Sequence, residues 1–214
     1  MSLRYALYFA PEEGTALARF GQAWLAGAWL EGRDDLIAEP RLYGFHATLK
    51  PPFRLAEGRS RDELLNAAAE FARARPAFTA PALVLEPLDG FLALQPSLPS
   101  PAIDSLAADC VRHFDRFRAP PTEAELAKRL AAPLDQRHRD LLKEWGYPYV
   151  LDRFRFHLTL TRRLRDGEAD IAAVARAAAA AALAEPVAFR SLCLFEQAAP
   201  GAAFRLSARF PFGG

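Results

Sequence analysis

Two short stretches of the sequence place a histidine and a threonine two residues apart. Residues 45–50 are FHATLK and residues 156–161 are FHLTLT. Apolar and polar residues alternate strictly in both, which is the pattern of a β-strand with one buried face. We therefore expect each strand to pack its apolar face in the core and to present the histidine and the threonine together on the other face.

The residue types in these motifs suit the cleavage of a phosphate ester. Such a reaction needs a base that activates water on one side of phosphorus and an acid that protonates the departing oxygen on the other. Histidine serves both roles near neutral pH because its ordinary pKa is about 6.5. The chain has four histidines, and two of them, His46 and His157, fall in the repeated frame. We predict that they form a catalytic pair, and that the hydroxyls of Thr48 and Thr159, about 6–7 Å further along each strand, bind phosphate oxygens.

Five further residues are weaker candidates. Lys50 and Arg155 lie on the histidine faces, so their charges are predicted to help bind the phosphate, with surface ion pairs as the alternative. Tyr43 and Tyr149 flank the motifs and are predicted to stack on a sugar or base, with core packing as the alternative. Arg118 is predicted to reach the cleft from the end of a helix.

The composition is that of an ordinary globular protein of 214 residues. Lysine and arginine number 27 against 26 acidic residues, a balance that argues against an extended nucleic-acid surface but allows a local basic pocket. Two cysteines, Cys110 and Cys193, are too few for a disulfide framework or a zinc knuckle. Neither motif contains a carboxylate to complete a metal site, so no metal is predicted. The apolar residues 3–10 are too short a stretch for a signal peptide, and we expect a cytoplasmic protein without membrane contact.

The order of predicted elements repeats in the two halves of the chain. A motif strand, a helix and two strands joined by a turn follow one another in residues 45–95 and again in residues 154–210. We predict a single α+β domain with two similar lobes, residues 1–98 and 122–214, joined by a helix at 100–118. Each lobe is expected to be an antiparallel sheet with helices on its outer side. A pseudo-two-fold axis would relate the lobes and place the active cleft between them.

Local signals predict individual boundaries. Capping boxes at residues 60–63 and 122–125 begin two helices, and Asp89-Gly90 marks a hairpin turn. A helix is expected over residues 15–30, followed by a charged connector at 31–40. The first motif strand is expected to end at Pro51-Pro52.

The paired motifs, one in each half, resemble those of the two-histidine (2H) phosphoesterase superfamily. Its members include RNA 2′,3′-cyclic phosphodiesterases and RNA-ligase-like proteins. A bacterial branch encoded beside phosphonate-utilisation (carbon–phosphorus lyase) genes is similar over nearly the whole chain, at residues 4–11, 43–50, 114–120, 145–149 and 154–161. The resemblance implies a bilobal α+β fold, catalysis by His46 and His157, phosphate binding by Thr48 and Thr159, and neither a metal nor a nucleotide cofactor.

The leading hypothesis is a metal-independent phosphoesterase that hydrolyses a small cyclic phosphate or phosphodiester, linked to phosphonate metabolism. Its partner would be a small phosphorylated substrate. The first alternative is an RNA-end 2′,3′-cyclic phosphodiesterase or ligase-like enzyme, and the second is a non-catalytic module that binds a phosphorylated ligand. The sequence leaves open the substrate, the oligomeric state and which histidine is the base, because the pseudo-symmetry makes the two roles interchangeable.

Overall fold

The computed structural model describes residues 3–214 as nine strands and eight α-helices, with one-turn 3₁₀ helices at residues 34–36, 115–117 and 151–153. The strands are β1 (Arg4–Phe9), β2 (Ala47–Phe53), β3 (Phe78–Ala80), β4 (Leu83–Leu88), β5 (Phe91–Pro96), β6 (Leu158–Thr159), β7 (Val187–Phe189), β8 (Ser191–Gln197) and β9 (Arg205–Pro211). The helices are α1 (Ala16–Leu25), α2 (Ala38–Tyr43), α3 (Arg61–Arg73), α4 (Pro101–Phe114), α5 (Glu123–Leu130), α6 (Gln136–Trp145), α7 (Ile171–Ala178) and α8 (Ala180–Leu183).

Local sequence signals set several of these boundaries. At the start of α3, the Glu63 amide donates to the Ser60 hydroxyl and the Ser60 amide donates to the Glu63 carboxylate, and α5 begins with the same capping box. Gly146 ends α6 in the left-handed conformation. The turn between β4 and β5 has positive φ angles at Asp89 and Gly90, as a tight hairpin turn requires. These predictions are confirmed.

The sheets are antiparallel, and the two halves of the chain exchange strands between them. One sheet has the order β2-β1-β8-β9, a second has the order β4-β5-β6, and β3 pairs with β7. The β4–β5 hairpin therefore pairs with β6, the motif strand of the other half. The β8–β9 hairpin pairs with β1, which in turn pairs with the motif strand β2. Packing contacts place α3 and α4 against the first sheet, and α7 and α8 against β4 of the second. The α+β class is confirmed.

The predicted division of the chain into lobes at residues 1–98 and 122–214 does not hold for the sheets. β8 and β9 lie beside β1, and β6 lies beside β5. The physical reason is that the exchange pairs one edge of β1 and one edge of β5, which would otherwise be left open. The connecting helix expected at 100–118 is present as α4 and the 3₁₀ turn that follows it.

Several boundaries also differ from the expectations. β2 continues through Pro51 and Pro52 to Phe53. It is an edge strand, and its register with β1 is irregular between Lys50 and Phe53, so the two missing N–H groups fall at the open side or at the irregularity. The expected helix at 15–30 ends at Leu25, and the expected connector at 31–40 contains a 3₁₀ turn and the start of α2. Within residues 3–214, every helix is too short or too polar to cross a membrane.

Candidate active site

Each histidine of the paired motifs lies directly before a strand. His46 precedes β2 and His157 precedes β6. The Nδ1 atom of His46 lies 2.9 Å from the carbonyl oxygen of Gly44, and the Nδ1 atom of His157 lies 2.8 Å from the carbonyl oxygen of Arg155. A carbonyl only accepts hydrogen bonds, so Nδ1 carries the proton in both rings. In the neutral form, both histidines therefore leave the Nε2 lone pair available for proton transfer.

The His46 ring is held by its surroundings on several sides. Gly44 adopts a φ of 76°, which turns the chain between α2 and β2 and brings its carbonyl to the ring. The buried side chain of Tyr8 stacks on the imidazole, with ring centroids 3.9 Å apart and an interplanar angle of 27°. The Thr48 hydroxyl lies 3.3 Å from Nε2 and can donate to it. The ring orientation is therefore set before any substrate binds.

Core packing brings the second motif close to the first. The ring of Phe156, next to His157, contacts the ring of Phe9 in β1, with centroids 5.6 Å apart. Phe9 adjoins Tyr8, which carries the His46 stack. Because both motifs pack on the same segment of β1, the two histidines belong to one region of the surface.

Two neighbouring cavities contain the paired motifs in a crossed arrangement. The His46 cavity, about 480 Å³, is lined by His46 and by Thr159 of the other half. The His157 cavity, about 280 Å³, is lined by His157 and by Thr48. The side chains that line both cavities include Phe91 and Arg163. Each cavity therefore combines the histidine of one motif with the threonine of the other, as a pseudo-two-fold arrangement requires.

The electrostatic environments of the two histidines differ. Burial lowers the pKa of His46 from 6.5 to about 4; the hydrogen bond to Gly44 opposes this change, and the charge of His157 adds to it. Burial also lowers the pKa of His157, and the positive charge of the Arg155 guanidinium lowers it further. The hydrogen bond to the Arg155 carbonyl and the charge of the Asp89 carboxylate act in the opposite direction. A carboxylate thus favours the protonated form of His157, whereas the stacked ring of Tyr8 keeps water from His46.

The arrangement can move two protons across a phosphate. Two histidines and two threonines line the two neighbouring cavities, so residues able to serve as acid, base and hydrogen-bond donor are present together. In the part of the chain covered by the structure, no group of three or more His, Cys, Asp and Glu side chains is arranged to hold a metal ion.

Three of the weaker candidates line these cavities. Tyr43 borders the His46 cavity and stacks on Phe204, with centroids 5.5 Å apart. Tyr149 and Arg155 border the His157 cavity. Arg155 is exposed and forms an ion pair with Asp89. The surface ion pair, which was the alternative to phosphate binding for Arg155, is therefore present at the edge of the site.

Lys50 and Arg118 lie elsewhere, and their predicted roles are wrong on geometry. Lys50 is only 1% exposed, and its ammonium donates to the carbonyl of Val111 and to the carboxylate of Asp115, both at 3.1 Å. Arg118 donates to the same carboxylate at 2.8 and 3.1 Å and to the carbonyl of Glu144. Neither side chain lines the two histidine cavities.

A β-bulge explains why Lys50 leaves the face of the histidine. Thr48 lies opposite Tyr8, but Lys50 lies opposite Leu7, and the register shifts between these two pairs. Neighbouring residues of β1 point to opposite faces, and cross-strand partners share a face. The extra residue of the bulge therefore turns Lys50 away from Thr48, which strict alternation in the sequence did not predict.

Four residues of the site were missed by the sequence analysis. Tyr8 stacks on His46, Asp89 acts on His157, and Phe91 and Arg163 line both cavities. Asp89 stood in the predicted hairpin turn, and Arg163 comes two residues after the second motif. Tyr8 and Phe91 carry no local signal, because only the folded sheets bring them to the histidines.

Comparisons with known proteins place the chain in a family. The family model described as "Protein of unknown function (DUF1045)" matches residues 48–205. A protein of Janthinobacterium sp. (strain Marseille) named ribose 1,5-bisphosphate phosphokinase PhnN is 42% identical over 231 residues, which cover 99% of this chain and 51% of that protein. A protein of the same name from Laribacter hongkongensis (strain HLHK9) is 36% identical over 221 residues, which cover 95% of this chain and 50% of that protein. The chain thus spans about half the length of these relatives.

Solved structures show the same fold. The structure of E. coli LigT complexed with 3′-AMP matches 100% of both chains with a TM-score of 0.53 and 14% identity. The apo form of E. coli LigT matches 100% of this chain and 99% of LigT with a TM-score of 0.54 and 13% identity. LigT is a 2H phosphoesterase, so the resemblance of the paired motifs to that superfamily is confirmed at the level of the fold.

Proposed function

Because the chain belongs to the DUF1045 family and has the fold of a 2H phosphoesterase, we propose that it hydrolyses a small cyclic phosphate or phosphodiester with His46 and His157 as general base and general acid. The proposal rests on one observation, which is that the two imidazole rings have the same hydrogen bond and equivalent surroundings. Both donate Nδ1–H to the carbonyl two residues earlier, and each lines a cavity with the threonine of the other half.

The base role is assigned to His46, because this ring is held in the unprotonated form. Its pKa of about 4 keeps it neutral at physiological pH, and its Nε2 carries a lone pair because Nδ1 is bonded to Gly44. The acid role falls to His157. Burial and the Arg155 guanidinium lower its pKa, but the Arg155 carbonyl and the Asp89 carboxylate both oppose that change, and His46 has no such carboxylate among the causes of its shift. These environments break the symmetry that leaves the two roles interchangeable in the sequence.

The reaction then proceeds by in-line displacement at phosphorus. His46 Nε2 takes a proton from water as the water oxygen bonds to phosphorus. The bond from phosphorus to the departing ester oxygen breaks, and His157 Nε2–H protonates that oxygen. For a cyclic phosphate the product is a phosphate monoester, and one proton passes from His46 to His157 through solvent before the next turnover. Thr48 and Thr159 donate hydrogen bonds to the non-bridging oxygens, whose charge must be stabilised in the transition state.

The names of the relatives support a first choice of substrate class. The proteins that this chain matches over half their length are named for a kinase of ribose 1,5-bisphosphate. A ribose cyclic phosphate is therefore the first substrate to test, and the similarity to the phosphonate-associated branch puts the proposed reaction in phosphonate utilisation. Ribose 1,2-cyclic phosphate and nucleoside 2′,3′-cyclic phosphates, assayed with and without EDTA, form the first screen.

Replacement of each histidine by asparagine tests the proposed roles. Asparagine keeps an N–H donor for the carbonyl of Gly44 or Arg155 but lacks Nε2. We expect His46→Asn and His157→Asn each to lower kcat by about 10²–10⁴-fold with the melting temperature little changed. The matched control is His113→Asn, which removes a histidine that packs between Phe71 and Phe114 and should leave turnover intact. Full turnover in either motif variant would rule out this mechanism.

A nucleotide substrate is the second candidate, and one observation favours it. E. coli LigT, which shares the fold, has been crystallised with 3′-AMP, and Tyr43 and Tyr149 border the two histidine cavities. An RNA-end 2′,3′-cyclic phosphodiesterase would prefer an oligonucleotide to a cyclic mononucleotide. Ligand binding without turnover of any cyclic phosphate would instead support a non-catalytic module.

A further inference from the structure

The cleft continues beyond His157 into a third cavity of about 600 Å³, which we call the outer cavity. It shares several lining residues with the His157 cavity, among them Tyr149, Arg155 and Arg163. Arg163 lines the outer cavity, the His157 cavity and the His46 cavity. A ligand that binds between the histidines therefore has room to extend past Arg163 into the outer cavity.

Three guanidinium groups border the outer cavity, and they differ in their partners. Arg153 donates to the Asp135 carboxylate at 3.0 Å, and Arg155 is paired with Asp89. Arg163 has no carboxylate within ion-pair distance among residues 3–214. Its charge and that of Arg155 both lower the pKa of the Asp89 carboxyl, after the larger effect of the hydrogen bond from Arg155. One carboxylate thus faces two guanidinium groups, and the positive charge of Arg163 is in excess.

The backbone on both sides of Arg163 is fixed. The Arg162 amide donates to the Leu36 carbonyl at 2.7 Å, and the Leu164 amide donates to the Gly90 carbonyl at 2.8 Å. The Arg162 side chain is held by two carboxylates, those of Asp35 and Glu168. The two neighbouring arginines therefore differ. Arg162 is neutralised by carboxylates of the fold, whereas Arg163 lines three cavities and has no carboxylate partner among residues 3–214.

We propose that the outer cavity binds a second phosphate group of the substrate, separate from the phosphate held between the histidines, and that Arg163 is its main ligand. The inference rests on the proposed function and narrows it to substrates with two phosphates. A guanidinium matches a phosphate with two parallel hydrogen bonds, and Arg163 has these donors free of carboxylates. Arg155 adds positive charge at the same border, while its pairing with Asp89 limits its own contribution.

Paired substrates test the second phosphate. A ribose cyclic phosphate with a 5-phosphate is compared with the same compound without it. In wild type, we expect the 5-phosphate to lower KM by about 10- to 100-fold, the effect of one or two charge-assisted hydrogen bonds. Arg163→Gln should abolish this gain. The readout is the ratio of the two KM values in each variant, because Arg163 also lines the two histidine cavities. Arg165→Gln is the matched control, because Arg165 lies in the same segment, is exposed and lines none of the three cavities.

Two outcomes would overturn the subsite. If Arg163→Gln raises KM equally for both compounds, Arg163 contacts the phosphate between the histidines and the outer cavity has no second anion. If a nucleobase improves KM and the 5-phosphate does not, the outer cavity binds a base, with Tyr149 as its platform.

A binding measurement separates this inference from the proposed function. The double variant His46→Asn/His157→Asn is titrated calorimetrically with ribose 1,5-bisphosphate and with ribose 1-phosphate, which lacks only the 5-phosphate. We expect the bisphosphate to bind about 10- to 100-fold more tightly, and the added Arg163→Gln substitution to remove the difference. If this result is obtained while wild type cleaves no cyclic phosphate, the proposed hydrolysis fails and the subsite stands. Equal affinities together with turnover would refute the subsite alone.

Discussion

Tyr8 should control the pKa of His46, because its ring covers one face of the imidazole. The ring centroids are 3.9 Å apart, and Tyr8 is buried. Burial lowers the pKa of His46 from 6.5 to about 4, a difference that corresponds to about 3 kcal/mol in favour of the neutral form. Tyr8→Ala opens that face to water, so we expect the pKa to rise from about 4 toward 6.5. Tyr8→Phe keeps the ring and its burial, so the pKa should stay near 4.

The lowered pKa of His46 has consequences for both activity and stability. A base with a pKa of about 4 is unprotonated at neutral pH, so the acid limb of kcat/KM in wild type should lie near pH 4 and move to higher pH in Tyr8→Ala. Between pH 6.5 and about 4 the unfolded chain binds a proton at His46 and the folded protein does not. The free energy of unfolding therefore decreases as the pH falls through this window, by up to about 1.4 kcal/mol per pH unit.

An NMR titration of the imidazole protons measures the pKa directly, with the His46 resonance assigned from its absence in His46→Asn. Circular dichroism checks that Tyr8→Ala is folded, since loss of a buried aromatic ring costs about 3–5 kcal/mol. Tyr8→Phe supplies a second, less disruptive comparison. The reasoning is refuted if wild-type His46 titrates near 6.5, or if Tyr8→Phe raises the pKa as much as Tyr8→Ala does.

Two further predictions concern the packing that supports the site. Lys50→Ala should lower the free energy of unfolding in urea by about 1–3 kcal/mol, because the Val111 carbonyl loses the buried Lys50 donor while Arg118 still pairs with Asp115. It should leave KM within about 2-fold, and a large rise in KM without a loss of stability would contradict the buried role. Gly21→Ala would place a Cβ within 1.9 Å of the Phe45 ring, so we expect a loss of about 1–3 kcal/mol and lower activity, because Phe45 adjoins His46. An unchanged melting temperature would contradict this packing.

The predictable part of the fold is the part set by neighbouring residues. Ser60 and Glu63 satisfy the free amides at the start of α3, and Asp89 and Gly90 supply the positive φ angles of a tight turn. Alternation in the sequence also predicted that His46 and Thr48 lie on the same face, and their side chains are 3.3 Å apart. Each of these interactions spans a few residues, so the sequence displays both partners together.

The unpredictable part depends on contacts between distant segments. The bulge that turns Lys50 into the core reflects its pairing with Leu7, and the Tyr8 stack on His46 exists only once β1 and β2 are adjacent. Arg162 and Arg163 are the same residue type, but their contacts differ. Arg162 pairs with Asp35 and Glu168, and Arg163 pairs with neither. The periodicity of a sequence predicts which face of a strand a residue occupies. The orientation of Lys50, the Tyr8 stack and the contacts of Arg163 depend instead on residues that are distant in the sequence.

The exchange of strands between the halves has a consequence for how the chain acquires its structure. Arg4 in β1 pairs with Gln197 in β8, 193 residues later. The first sheet therefore stays incomplete, with an edge of β1 open to wrong pairing, until β8 has been synthesised. Contacts of such large sequence separation slow folding, so we expect the pairing of β1 with β8 to be a late step in the folding of this chain.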